Sequence, residues 1–88
     1  MSLFAPQKSS MFAYGSEFYE ISDEDVAGTI QYFGYLNQIG KWIICKRDAS
    51  GAPVTDRYVN GAVSYATNWG NRAILSYDYY NKMSNTTP

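Results

Sequence analysis

The chain has 88 residues, eight acids against seven bases, and a formal net charge of −1. So short a chain makes one domain at most and buries only about 60% of the surface its unfolded form exposes. Its slightly acidic balance, with a pI near 5.1, excludes a strong electrostatic pull toward nucleic acid or an anionic membrane.

Residues 1–16, MSLFAPQKSSMFAYGS, follow no period, yet they hold Phe4, Met11, Phe12 and Tyr14. Disordered tails are poor in aromatics. The segment is therefore expected to be an extended N-terminal arm that orders against a surface, on a neighbouring chain or on its own domain with equal weight. Glu17–Ile21 is a short strand candidate. Ser22 with Asp25 three residues later has the spacing of a helix N-cap, and Val26-Ala27 would add one turn before Gly28 stops it. Asp23 and Asp25 also match two positions of a calcium loop. The further oxygen ligands, the glycine and the terminal glutamate are missing, and no metal is expected.

The chain is organised around Thr29–Arg47, TIQYFGYLNQIGKWIICKR. Ile30–Leu36 and Lys41–Arg47 are rich in residues that suit a pleated, packed surface, so both read as strands. Asn37-Gln38-Ile39-Gly40 joins them, with Asn suited to open a type I turn and Gly suited to the left-handed residue after it. This is a β-hairpin in which Gly40 is expected to have positive φ. Both faces are apolar, whereas a sheet with one wet face alternates apolar with polar. Covering two faces needs other parts of the chain or another subunit, and 88 residues leave little to spare. Cys45, the only cysteine, falls in the second strand with a small apolar packing role.

Asp48–Pro53 is a turn-rich loop, and Val54–Val59 reads as a third strand ending at the turn signal Asn60-Gly61. In residues 64–83, Ala66, Trp69, Ala73, Tyr77, Tyr80 and Met83 follow helical steps, with Ser64 placed to cap the start. Ala73, Leu75, Tyr77 and Tyr79 also alternate as in a strand. The helix matches over more turns. The fold class expected is thus α+β, a small antiparallel sheet built on the 29–47 hairpin with a C-terminal helix, and all-β is the alternative. The domain spans 17–83, after the 1–16 arm and before a polar tail at 84–88.

Catalytic chemistry is missing. Histidine is absent, which removes the commonest general base and metal ligand. No motif sets a Lys or carboxylate beside a Ser or Cys nucleophile, and the glycines make no phosphate-binding loop. Glu17, Glu20 and Asp78 are the carboxylates a glycosidase pair would draw on, but acids in a small flexible stretch are usually solvated. No enzyme and no cofactor is expected. Nine Tyr, four Phe and two Trp exceed what so small a core holds, and such residues anchor contacts between chains. Exposed Trp42 and Trp69 would equally suit a small carbohydrate-binding module. The charges segregate, with Glu17, Glu20, Asp23, Glu24 and Asp25 in one stretch and Lys41, Lys46, Arg47 and Arg57 in another. Solvated faces explain this better than pairing between copies.

The run YFGYLNQIGKWIICKRD, followed by RYVNG and ATNWGNRAILSYDYY, resembles small structural proteins of tailed bacteriophage virions over Tyr32 to Tyr80. The resemblance lies in the strand, the Asn-x-x-Gly turn, the Trp-bearing strand and the closing aromatic segment. It implies a non-enzymatic part of a particle, as a tail, fibre-attachment or capsid-accessory component. The partners then expected are other virion proteins and copies of itself, as a homo-oligomer within an assembly, with neither nucleic acid nor membrane bound. The contact residues expected are Phe4, Met11, Phe12, Tyr14, Phe33, Tyr35, Trp42 and Trp69. No run approaches a membrane span and the N-terminus lacks a signal-peptide pattern, so the place of synthesis expected is the host cytoplasm, and of residence the virion.

Overall fold

The computed structural model describes residues 11–14 and 17–83. They form one antiparallel sheet in the order β1-β2-β3-β4-β5. The strands are β1 (Met11–Tyr14), β2 (Glu17–Asp25), β3 (Ile30–Leu36), β4 (Trp42–Asp48) and β5 (Thr55–Gly61). Helix is confined to α1 (Tyr65–Gly70) and two 3₁₀ turns at Arg72–Ile74 and Tyr80–Lys82. The described residues are mainly β.

The β3–β4 hairpin is built as its turn chemistry requires. The Asn37 carbonyl accepts from the Gly40 N–H at 3.2 Å. The Asn37 Oδ1 accepts from the backbone N–H groups of Ile39 and Lys41, at 3.0 and 2.8 Å. Gly40 sits at φ 97°, where a Cβ is strained. The register runs from Leu36 opposite Trp42 to Ile30 opposite Asp48.

Residues 11–14 of the expected arm form β1, paired with β2 from Met11 opposite Glu20 to Tyr14 opposite Glu17. That part of the arm docks on its own sheet. Residues 1–10, with Phe4, and the tail at 84–88 lie outside the described residues.

The helical cap expected at Ser22–Asp25 is not formed. These residues continue β2, with the register shifting between Ile21 and Asp23. The carboxylates instead serve long-range partners. Asp23 Oδ2 accepts from the Tyr65 hydroxyl at 2.8 Å, and Asp25 Oδ2 pairs with Arg72 at 2.9 Å. A local cap contributes about 1 kcal/mol, less than strand pairing together with these contacts. Asn60-Gly61 likewise makes no hairpin. It ends β5, where Gly61 lies against the Trp42 ring so closely that a Cβ would come within 2.7 Å of Cε2.

The long helix expected over residues 64–83 is replaced by a strap. Only α1 is α-helical, and Ser64 sits left-handed at φ 63° with no side-chain cap. The strap first crosses the sheet face that carries Tyr32, Gly34, Trp42 and Ile44. There Tyr65 packs on Trp42, Trp69 stacks with Tyr65, and Tyr77 meets Tyr32. It then runs beside the β5 edge, where Tyr58 and Asp78 exchange both backbone hydrogen bonds at 2.7 and 3.0 Å. Beyond that edge it reaches the opposite face. Met83 joins the core of Tyr19, Phe33, Tyr35, Ile43 and Cys45 there, with Tyr14, Ile21 and Tyr58 packed alongside. Tyr80 meets the rings of Tyr14 and Tyr58 edge-on. One segment therefore covers both apolar faces by passing around an edge, and the hairpin needs no second chain to cover it. A helix of that length could follow one face only.

Candidate functional site

The aromatics expected at the surface are mostly inside. Phe33, Tyr35 and Trp42 are 5%, 1% and 4% exposed, all covered by the chain itself. The Trp42 indole N–H donates to the Val63 carbonyl at 2.8 Å, which ties β4 to the approach to α1. With its ring covered, Trp42 has no face to offer a sugar or a partner. Trp69 is half-buried against β3, and the Arg72 guanidinium lies 4.5 Å from its ring centroid. Tyr14 is half-buried, and its hydroxyl donates to the Met83 carbonyl at 3.3 Å. Met11 and Phe12 place their backbones in β1. Of the eight residues, the five whose side chains are described, Tyr14, Phe33, Tyr35, Trp42 and Trp69, are not brought together in one exposed patch.

Burial has an electrostatic signature. Tyr35, Tyr65 and Tyr77 all have pKa values well above the ordinary phenol range, chiefly because burial disfavours the phenolate. For Tyr65 the hydrogen bond to the Asp23 carboxylate adds to the shift. Phenols held neutral in this way serve structure, as donors to Asp23 and, from Tyr77, to the Arg72 carbonyl at 2.8 Å. Cys45 is fully buried. Among the described residues no group of three His, Cys, Asp or Glu side chains could hold a metal, and no helix is long and apolar enough to cross a membrane.

Several large apolar side chains stay exposed, Val63 and Ile74 on the strap side among them, and two of them, Phe18 and Ile39, lie at the end of the sheet that carries the β3–β4 turn. An open groove of about 660 Å³ is lined there by Glu17, Phe18, Glu20, Leu36, Gln38 and Ile39, with Asn37 at its base. Phe18 and Ile39 are each 69% exposed. Phe18 points out because Glu17, Tyr19 and Ile21 take the core-facing positions of β2. That leaves Phe18 on the face the strap crosses but short of the strap, whose polar contacts with β2 on that face are at Asp23 and Asp25. Ile39 points out because it sits at the crest of the turn. Polar contacts tie the groove wall together. Glu17 accepts a hydrogen bond from the Asn37 side-chain amide and pairs with Lys41 at 3.3 Å, clamping the turn to β2. Both partners of that ion pair are largely buried. Sequence reasoning missed Phe18 and Ile39. The available signal was an isoleucine inside a turn, where a polar residue is usual.

Comparison with known proteins finds no family model, no curated protein and no solved structure that matches the chain.

Proposed function

We propose that this chain is a non-enzymatic structural protein of a tailed-bacteriophage virion, contacting other virion proteins and copies of itself. The observation that carries the reading is the pair Phe18 and Ile39, held exposed on either side of a groove. Large apolar side chains flanking a concavity mark a contact surface better than they mark solvent. The sequence resemblance over Tyr32–Tyr80 supplies the setting, a particle built of many subunits. Glu20 is exposed on the groove rim, so the complementary surface brings apolar groups together with a base.

The test compares the full chain with a Phe18→Asp/Ile39→Asp variant by sedimentation and chemical cross-linking across a concentration series. Both positions are exposed, so the melting temperature should hold within a few degrees. The expected result is weak, concentration-dependent association of the wild type that the variant loses. Identical behaviour of the two proteins at the highest attainable concentration overturns the proposed contact.

A further inference from the structure

On the sheet face that the strap crosses, at the far end of β4 from the groove, Lys46 and Arg57 are register partners across β4 and β5. Like charges directly opposite one another are destabilising. Three other described cations are answered by carboxylates. Lys41 pairs with Glu17, Arg47 with Asp56 and Arg72 with Asp25, at 3.3, 3.0 and 2.9 Å. Among the described residues, Lys46 and Arg57 form no such pair. Tyrosine rings sit against their charged heads instead. The Lys46 ammonium lies 5.6 Å from the Tyr77 ring centroid, and the Arg57 guanidinium 4.2 Å from that of Tyr79. Arg57 also donates one N–H to the Asp56 carbonyl at 2.9 Å. Ring faces and one carbonyl position the two cations without neutralising them.

The two cations line a small pocket of about 180 Å³ together with Asp48, Thr55, Leu75 and Tyr77. Asp48 is its one carboxylate among the described residues. Asp48 Oδ1 accepts from the Ser50 N–H at 2.9 Å and the Ser50 hydroxyl at 2.5 Å. Those bonds hold its pKa below the usual carboxylate range, so it remains charged and turned to its own loop. Two cations against one anion leave the pocket positive. The Tyr77 hydroxyl commits its proton to the Arg72 carbonyl, which leaves Thr55 as the neutral donor. We propose that this pocket binds one small tetrahedral oxyanion, phosphate or sulfate. The guanidinium offers a planar fork for two oxygens, the ammonium a compact charge for a third, and the Thr55 hydroxyl a hydrogen bond. The volume lies below that of sites for larger organic ligands, which limits the ligand to a bare anion. Its charge would remove the repulsion that the Lys46–Arg57 pair carries.

The test titrates the full chain with inorganic phosphate and with sulfate, against chloride and acetate at equal ionic strength. Amide chemical shifts and the melting temperature are followed. Saturable shifts at Lys46, Thr55, Arg57 and Tyr77, with a raised melting temperature under phosphate or sulfate, are expected. Lys46→Gln and Arg57→Gln should each weaken binding about tenfold or more, as loss of a hydrogen bond to a charged group does. Either change also removes the like-charge contact, so the variants should fold at least as well without the anion, which separates lost binding from lost structure. Arg57→Lys should bind with intermediate affinity. The proposal is overturned if phosphate acts no differently from chloride, if acetate binds as tightly, if the shifts fall elsewhere, or if the glutamine variants bind as the wild type does.

Discussion

Gly34 is where the sheet and the strap touch most closely, and a single methyl group there tests how the fold is closed. A Cβ on Gly34 would overlap the Tyr65 hydroxyl outright and come within 2.9 Å of Trp69 Cε3 and 3.0 Å of Cζ3. Two aromatic rings would have to retreat, and Tyr65 cannot do so without stretching its 2.8 Å hydrogen bond to Asp23. Overpacking of this kind costs about 1–3 kcal/mol. In a domain of this size that lowers the melting temperature by roughly 4–8 °C per kcal/mol. Gly34→Ala should therefore melt about 4–24 °C lower, although alanine suits a strand interior better than glycine does. Tyr65→Phe identifies the cause. It removes the overlapping oxygen and, by itself, loses a hydrogen bond to a charged acceptor, worth about 1.5–3 kcal/mol when well shielded and less at this half-buried site. In a double-mutant cycle measured by urea unfolding, Gly34→Ala should cost less in the Tyr65→Phe background, with a coupling of about 0.5–3 kcal/mol, and the Trp69 contact should leave a remainder. Additive effects, or a Gly34→Ala protein as stable as the wild type, would refute the close packing of the strap on β3.

Gly40 at φ 97° has open space around its missing Cβ, so any penalty there comes from the backbone alone. Gly40→Ala should cost about 1–2 kcal/mol in urea unfolding and Gly40→Val more; equal stability of all three proteins would contradict the turn geometry. The buried tyrosines predict alkaline sensitivity. Tyr35, Tyr65 and Tyr77 have folded pKa values raised above the unfolded value near 10. Their contribution to stability is therefore complete below about pH 10 and is lost as pH climbs through the folded values. Absorbance of the phenolate should show these three titrating together with loss of the circular dichroism signal, after the exposed tyrosines. Reversible titration of all nine tyrosines near pH 10 with the fold intact would rule this out.

The hairpin was legible because its determinants are local. Asn37 and Gly40 impose the turn whatever surrounds them, and residues 30–36 and 42–48 suit strands on either face. The strap was not, because what shapes it lies far away in sequence. Ser22 and Asp25 carry the local spacing of a helix cap, but Asp23 and Asp25 find their partners in Tyr65 and Arg72, 42 and 47 residues on. Helical steps in residues 64–83 are real over Tyr65–Gly70. Past that point the backbone of Asp78 pairs with Tyr58 and overrides local preference. The contact residues were harder still. Phe18 and Phe33 are the same residue type in neighbouring strands, yet one is 69% and the other 5% exposed. What separates them is how far the strap reaches across each face, which composition does not encode.

That division of labour bears on how the proposed contact can work. The apolar load of the hairpin is spent within the chain, so the proposed contact draws on Phe18 and Ile39 at the groove end. Burying Phe18 and Ile39 contributes at most about 1.5–3 kcal/mol each, and less here because neither starts fully exposed. Bringing two proteins together costs an estimated 4–15 kcal/mol in lost freedom before any ordering of side chains. The two side chains alone therefore reach at best the low end of that cost, and a stable free dimer does not follow from them. In a particle the balance changes. A subunit held by several neighbours makes each further contact at a high effective concentration, and a patch too weak for a dimer then adds its full contribution. A groove with few anchors suits a subunit that associates only weakly in solution, at high concentration, and docks firmly once an assembly presents its other surfaces.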